Sequence, residues 1–341
     1  MILITGNLGY IGVVLTDYLK KRDYKIVGLD TGWFNNSRLS DITCLPNEQI
    51  VKDIRKVNPT DFRGIDVVVH LAALSNDPLG EINPQLTVNI NAQATINLAK
   101  VAKKCGVNKF IFASSCSVYG KAETTKPVTE MDVVGPLTSY AKAKLLAENG
   151  LMELASNNFH PVMMRNATVY GSSPTIRLDL VVNNLIAGAL INKKVTILSD
   201  GTPWRPLVHI RDLAQAIETI ICSPEELVHN QIFNVGRIDG NYQVKEIGEK
   251  VCAQIKNSRL EILGQTGGDE RSYKVNFCKF NQTFKGFKPR WTLTKGIKEI
   301  QKDLKRKNFD HIDWENKKYI RLEQLKKLMS EGAVDDQLIN I

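Results

Sequence analysis

Tyr140 and Lys144 stand four apart in the stretch GPLTSYAKAK. If that stretch opens a helix after a loop, both side chains share one face. A phenol acts as a base near neutral pH only after its pKa falls by about 3 units, worth roughly 4 kcal/mol. A neighbouring ammonium helps supply that fall by favouring the phenolate. Upstream, an apolar run ends in Ser114 and Ser115. A serine hydroxyl at such a strand end can donate to the same oxygen from which the phenol takes a proton. Taken alone, Tyr-x-x-x-Lys is a weak signal, because surface helices carry it by chance.

The elements that would position this chemistry begin at the N-terminus. Residues 2–4 form a short apolar run that reads as a buried strand, followed by Gly6, Gly9 and Gly12. Ile11, Val14, Leu15, Tyr18 and Leu19 then recur at helical spacing, and a second apolar run over 25–29 ends at Asp30. Strand, glycine turn, helix, strand and acid in that order make a dinucleotide site. Gly6 permits the tight turn. Gly9 lets backbone N–H groups approach a pyrophosphate at the helix N-terminus, where the dipole favours an anion. Gly12 lets the helix lie close. Tyr10 and Ile11 belong to the same cofactor site. Asp30 can accept from ribose hydroxyls and repels a 2′-phosphate, which favours NAD over NADP. The positive nicotinamide ring would then assist Lys144 in acidifying Tyr140, and Lys144 can also hold the nicotinamide ribose.

Further along, 33–47 is polar and loop-like, and 49–51 reads as a strand ending near Asp53 and Ile54. An acid at that strand end can reach an adenine amino group. Residues 65–71 form a continuous apolar strand, and Leu71, Ala72 and Ala73 keep its end open for a cofactor. The spacing predicts a helix over 84–104, with Leu86, Ile90, Ala94, Leu98 and Val101 on one stripe. Asn89 supports the cofactor loop or belongs to a helix start. A strand over 110–113, a helix over 139–155 and a strand over 162–164 continue the alternation. The pattern argues an α/β fold with a parallel, doubly wound sheet. Beyond Gly171 the alternation breaks down, although helices are expected over 178–191, 210–221 and 244–255, with strands over 195–198 and 231–235. Asp212 could help start the helix at 210. The tail over 302–341 is charged and helical in pattern; it covers the substrate cleft or adds to a dimer.

The chain has 341 residues, 43% hydrophobic and 24% charged. That suffices for one large domain or two ordinary ones in a globular protein. No apolar run approaches the roughly 18 residues needed to span a bilayer. The start enters a strand at once, so no signal peptide is expected. The six cysteines are scattered, with no paired spacing, and read as reduced thiols in a cytoplasmic protein with no metal site. The net charge of +9 is spread over helices and the tail. It reads as a solvated surface rather than a nucleic-acid stripe, and suits an anionic nucleotide substrate.

Together, TGNLGYIG, Asp30, KDI at 52–54, HLAA at 70–73, NINAQAT at 89–95, SSCSVYG at 114–120, YAKAK at 140–144 and RNATVYG at 165–171 resemble the extended short-chain dehydrogenase/reductase family, the nucleotide-sugar epimerases and dehydratases. DGTPWRPLVHIRD at 200–212 and GGDERSYKV at 267–275 complete the resemblance over roughly 1–300. It implies a Rossmann-type NAD-binding domain over 1–171, joined by elements from about 205–235. It implies an interleaved substrate domain over 172–300, followed by a charged helical extension over 301–341. It implies NAD as cofactor, a nucleoside-diphosphate sugar as substrate, Tyr140 as base, Lys144 as its partner and Ser115 as the third member. Ser114 lies on the cofactor side. Arginines at the positions of Arg205 and Arg271 grip the substrate diphosphate in the family, and guanidinium forks suit phosphate oxygens. Thr168 stands where the family often has an asparagine facing substrate. A homodimer through helices at 92–104 and 139–155 is implied, with no membrane partner.

The 4,6-dehydratases of that family carry an acidic pair after the catalytic Ser/Thr, where this chain has Cys116 and Ser117. Classical dehydration is therefore disfavoured, and an epimerase acting through transient oxidation, usually at C4, is expected. A C4 dehydrogenase or ketoreductase would carry the same residues. A non-catalytic NAD(P) sensor or scaffold on the same fold is the alternative of another class. Cys116 reads as a redox or acid group or, more simply, as a buried small residue; His209 and His70 read as structural.

Overall fold

A computed structural model describes residues 1–75, 77–80, 83–123, 125–265 and 271–340. The opening apolar run is strand β1 (Ile2–Thr5), and Ile2, Leu3 and Ile4 are all buried. It pairs in parallel with β2 (Ile26–Asp30) on one side and β4 (Val67–His70) on the other. Beyond β2 lies β3 (Glu48–Val51); beyond β4 lie β5 (Lys109–Ser115) and β6 (His160–Asn166). The order turns at β1, so a crevice opens at the carboxyl ends of β1 and β4, where doubly wound sheets bind ligands.

Helices cover both faces. Leu15 and Leu19 of helix Tyr10–Lys20 pack with Leu213 and Ile217 of helix Ile210–Cys222 on one. Leu98 and Ala102 of helix Ala94–Lys104 pack with Ala143, Ala147 and Leu151 of helix Ser139–Met152 on the other. Gly150 lets these two helices approach, since a Cβ there would meet Ile96 at 2.4 Å.

The helix expected over 84–104 is continuous but not uniform. Asn83 caps helix Pro84–Val88, a π turn spans Asn89–Gln93, and helix Ala94–Lys104 follows. Such turns often sit beside functional sites. Here fully buried Asn91 both donates to the Leu74 carbonyl at 2.9 Å and accepts from the Leu74 N–H at 2.8 Å.

After β6 the chain builds a second part. Strands β7 (Thr168–Tyr170), β9 (Trp204–His209) and β11 (Asn241–Gln243) form one small sheet; β8 (Lys194–Ile197) and β12 (Arg259–Ile262) form another. Between them β10 (Gln231–Val235) returns to the main sheet beside β6, completing seven strands. The two parts are therefore interleaved. Helix Ile210–Cys222 starts on His209, whose Nδ1 accepts from the Arg211 N–H at 3.3 Å. Asp212, expected to help start it, instead accepts from the N–H groups of Arg290 (2.9 Å) and Trp291 (3.0 Å).

At the glycine turn the space is filled by backbone. Gly6 has φ +72°, and a Cβ on Gly12 would stand 2.2 Å from the Gly6 carbonyl oxygen. Gly12→Ala is expected to destabilise the protein by about 1–3 kcal/mol through overpacking. A thermal melt matching wild type would contradict this close approach.

Candidate active site

Tyr140 opens helix Ser139–Met152, which Thr138 caps by accepting from the Ala141 N–H at 3.2 Å. Ser115 ends β5 and shares a side-chain hydrogen bond with Tyr140. Lys144 lies one turn further in, buried, with Nζ donating to the Ala113 carbonyl at 2.7 Å. All three line one cleft of about 1330 Å³. Arg205, Arg271 and Thr168 line the same cleft, so residues far apart in sequence meet there.

Arg205 Nη1 donates to the carbonyls of Trp204, at 2.9 Å, and Arg271. Arg271 Nη1 is paired with Asp77, which also accepts from Thr138 Oγ1. Asp77 thus joins the arginine to the cap of the helix that carries Tyr140. The sequence reading missed Asp77, and its closeness to the strand end at HLAA, 70–73, was the available signal. It also missed buried Asn166, whose Oδ1 has no hydrogen-bond partner among the described residues and which lines the cleft. Arg177, likewise missed, is held by Asp179 at 2.9 Å and by Ser75 Oγ at 2.9 Å. Residues 267–270 of the GGDERSYKV segment lie outside the described residues.

The electrostatics differ from expectation. Burial pushes the Tyr140 phenol up to about 12, Asp77 adds to the rise, and Arg177, the Ser115 hydrogen bond and Arg271 oppose it. Burial pushes Lys144 down to about 7, with Glu148 opposing. Lys144 was expected to acidify the phenol. Its nitrogen instead points to the Ala113 carbonyl, 5.7 Å from the Tyr140 ring centre, and burial weakens its charge. The cations that lower the phenol are Arg177 and Arg271.

Gly6, Gly9, Gly12, Asp30, Asp53 and Ile54 line a second pocket, together with Tyr10, Ile11 and Leu71 to Ala73. The Asp30 carboxylate accepts from the N–H groups of Leu8 at 3.0 Å and Gly32 at 2.8 Å. Burial raises its pKa and those bonds oppose the rise. The turn fits a dinucleotide diphosphate: a Cβ on Gly9 would stand 3.2 Å from the Gly6 carbonyl oxygen, and the helix N-terminus faces the pocket.

Four expected cofactor residues are placed differently in detail. The Asp53 carboxylate is held by Arg55 Nη2 at 2.6 Å. The Tyr10 phenol donates to the Gly171 carbonyl at 2.8 Å, joining the glycine turn to the second part of the chain. The Ser114 hydroxyl donates to Glu148 beneath the cleft. Asn89 accepts from Gln85 at 3.1 Å within the helix, neither starting it nor holding the loop, which Asn91 does. His70 is a satisfied core residue between Thr5 (2.7 Å) and Thr95 (2.8 Å). Cys116 is buried and donates to the Arg165 carbonyl at 3.1 Å; burial pushes its thiol up. No metal-holding cluster occurs among the described residues.

The model of the NAD dependent epimerase/dehydratase family matches residues 2–236, well over half of the chain. The chain belongs to that family. A putative UDP-glucose 4-epimerase of Methanocaldococcus jannaschii is 28% identical over 323 residues, covering 90% of this chain and 99% of that protein. UDP-glucuronic acid decarboxylase 6 of Arabidopsis thaliana is 25% identical over 315 residues, covering 89% and 88%. The solved structure of MoeE5 in complex with UDP-glucuronic acid and NAD superposes with TM-score 0.78 at 27% identity, covering 89% of this chain and 99% of that one. This family member is thus an enzyme of NAD-dependent nucleotide-sugar chemistry on a Rossmann-type fold.

Asp77 raises the phenol because a negative charge disfavours the phenolate. Asp77→Asn removes that charge, so the phenol ionises at lower pH. The acid limb of the pH–kcat/KM profile is expected to move to lower pH. An unmoved limb, or one moved upward, would contradict the assignment.

Proposed function

We propose that the chain is a nucleotide-sugar epimerase that transiently oxidises a sugar hydroxyl, at C4, with Tyr140 as base. The observation that carries this is one cleft in which Tyr140 and Ser115 are hydrogen-bonded to each other and face Arg205 and Arg271. In this reading Ser115 donates to the reacting oxygen and Tyr140 takes its proton. Arg205 and Arg271 hold the diphosphate of the nucleotide, and Thr168 borders the sugar. The glycine turn lets the pyrophosphate of NAD come close: the Gly6 and Gly9 N–H groups are engaged by the Leu29 and Gly6 carbonyls, so Ile11 in the first turn of the helix offers its N–H, and Asp30 receives the adenosine ribose. Ile54 and Ala72 border the adenine, and Lys144 holds the nicotinamide ribose. Bound NAD accepts the hydride, and its positive ring supplies the acidifying charge that Lys144 alone does not.

Cys116 is a thiol whose pKa burial raises, and Ser117, which lines the cleft, is a hydroxyl, so neither offers the carboxylic acid of classical dehydration. The 4-epimerase name of the Methanocaldococcus relative supports the same reading. A C4 dehydrogenase or ketoreductase would use identical residues, and product analysis separates them. A product of unchanged mass with a new stereocentre is expected from nucleoside-diphosphate sugars. Net reduced nicotinamide, loss of water or loss of carbon dioxide would each overturn epimerisation. Tyr140→Phe is expected to lower turnover at least about a hundredfold while calorimetry shows unchanged NAD affinity. Near-normal turnover would remove Tyr140 from its role.

The proposal extends to organisation. Residues 1–171, with elements from 205–235, form the cofactor domain; 172–300 form the substrate domain; 301–341 form an extension. All six cysteines are free, which suits a cytoplasmic location. No helix is long and apolar enough to cross a membrane among the described residues. Leu146 (49% exposed) and Met152 (37%) on helix Ser139–Met152 offer apolar surface for a homodimer. Light scattering should give twice the chain mass of 38.2 kDa; a mass of one chain would refute the dimer.

A further inference from the structure

The C-terminal extension does not cover the substrate cleft. Helix Arg321–Ser330 and the segment after it pack over the outer wall of the glycine-turn pocket. Leu325, Val334 and Leu338 are buried in the same core cluster as Ile54, Leu74 and Ile90. Polar contacts pin the end of the chain there. Arg55 donates to the carbonyls of Gln337 at 2.7 Å and Leu338 at 2.9 Å, and Trp33 Nε1 donates to Asn340 at 2.7 Å.

Arg321, the first residue of that helix, lines the pocket and is only 2% exposed. Its guanidinium lies 4.1 Å over the Phe34 ring, and Nη2 donates to the Thr175 carbonyl at 3.1 Å. Nη1 is buried and has no hydrogen-bond partner among the described residues. Burial depresses its pKa to about 9 and Arg177 adds to the fall, while Asp179 and Asp30 oppose it. A buried guanidinium with an unpartnered nitrogen is costly unless an anion completes it. The pocket it lines contains the glycine turn and the helix N-terminus, which together form an anion site.

We infer that Arg321 donates through Nη1 to a diphosphate oxygen of the bound dinucleotide, so that the C-terminal extension straps the adenosine half of the cofactor into its pocket. This rests on the glycine turn being the NAD site. Retention suits transient oxidation, because the same dinucleotide must return the hydride it took. Arg177, whose guanidinium is engaged by Asp179 and Ser75, does not replace this contact.

Calorimetric titration of the full chain with NAD, ADP and adenosine tests the inference independently of turnover. Arg321→Ala is expected to weaken NAD and ADP by about tenfold or more, the scale of a charge-assisted bond, and to leave adenosine unchanged. Arg321→Lys, which keeps a cation, should recover part of that loss. Circular dichroism and thermal melting confirm that both variants are folded. Affinities for NAD and ADP within about twofold of wild type in a folded Arg321→Ala would overturn the inference. So would an equal loss for adenosine. Absence of NAD binding by the wild-type chain would instead overturn the dinucleotide site itself.

Discussion

Glu148 is a buried anion on which the position of the whole candidate active site depends. It lies one turn beyond Lys144 and two beyond Tyr140, on the inward face of helix Ser139–Met152. Arg165 on β6 pairs with it at 2.7 Å, and Ser114 on β5 donates to it. Tyr119 and Asn234 extend the network, with Arg165 Nη1 donating to the Tyr119 hydroxyl and that hydroxyl donating to Asn234 at 2.7 Å. Two buried charges are tolerated only when their remaining groups are satisfied, and here they are. The consequence is geometric: one helix is bolted to two strands, and Tyr140 is set opposite Ser115.

Around that fixed pair the field is mixed. Burial and Asp77 keep the phenol protonated, while Arg177 and Arg271 pull the other way. Arg271 and Asp77 are themselves an ion pair, so the group that opposes the phenolate is also tied to one that favours it. The opposing contributions explain why a base in this cleft would need a further positive charge from a bound cofactor. Lys144 contributes position more than charge, because burial lowers its own pKa to about 7.

The two halves of the site are coupled through the chain between them. The Tyr10 phenol reaches across to Gly171, and Asn183 donates to it at 3.2 Å. Ser173 returns a bond to the Tyr10 carbonyl at 2.9 Å. The start of the glycine-turn helix is thus shared by the glycine-turn pocket and the second part of the chain. The segment that follows Gly171 carries Arg177 between the two pockets, and its Thr175 carbonyl receives Arg321 from the extension.

By itself the sequence determined what local periodicity and local turn chemistry determine. The glycine turn with Asp30, the parallel alternation up to Gly171, the shared helix face of Tyr140 and Lys144, and the lack of an acid after Ser115 were all legible. Each depends on residues close together along the chain. Tertiary structure decided what depends on which distant groups meet. Ser114 turns to Glu148, Asn91 rather than Asn89 holds the loop at Leu74, and Asp77 meets Arg271. It also sent the extension to the cofactor pocket, because Leu325, Val334 and Leu338 bury against Ile54 and Ile90. Hydrogen-bond partners, desolvation and the sign of a pKa shift are properties of surroundings, and surroundings are assembled from the whole chain.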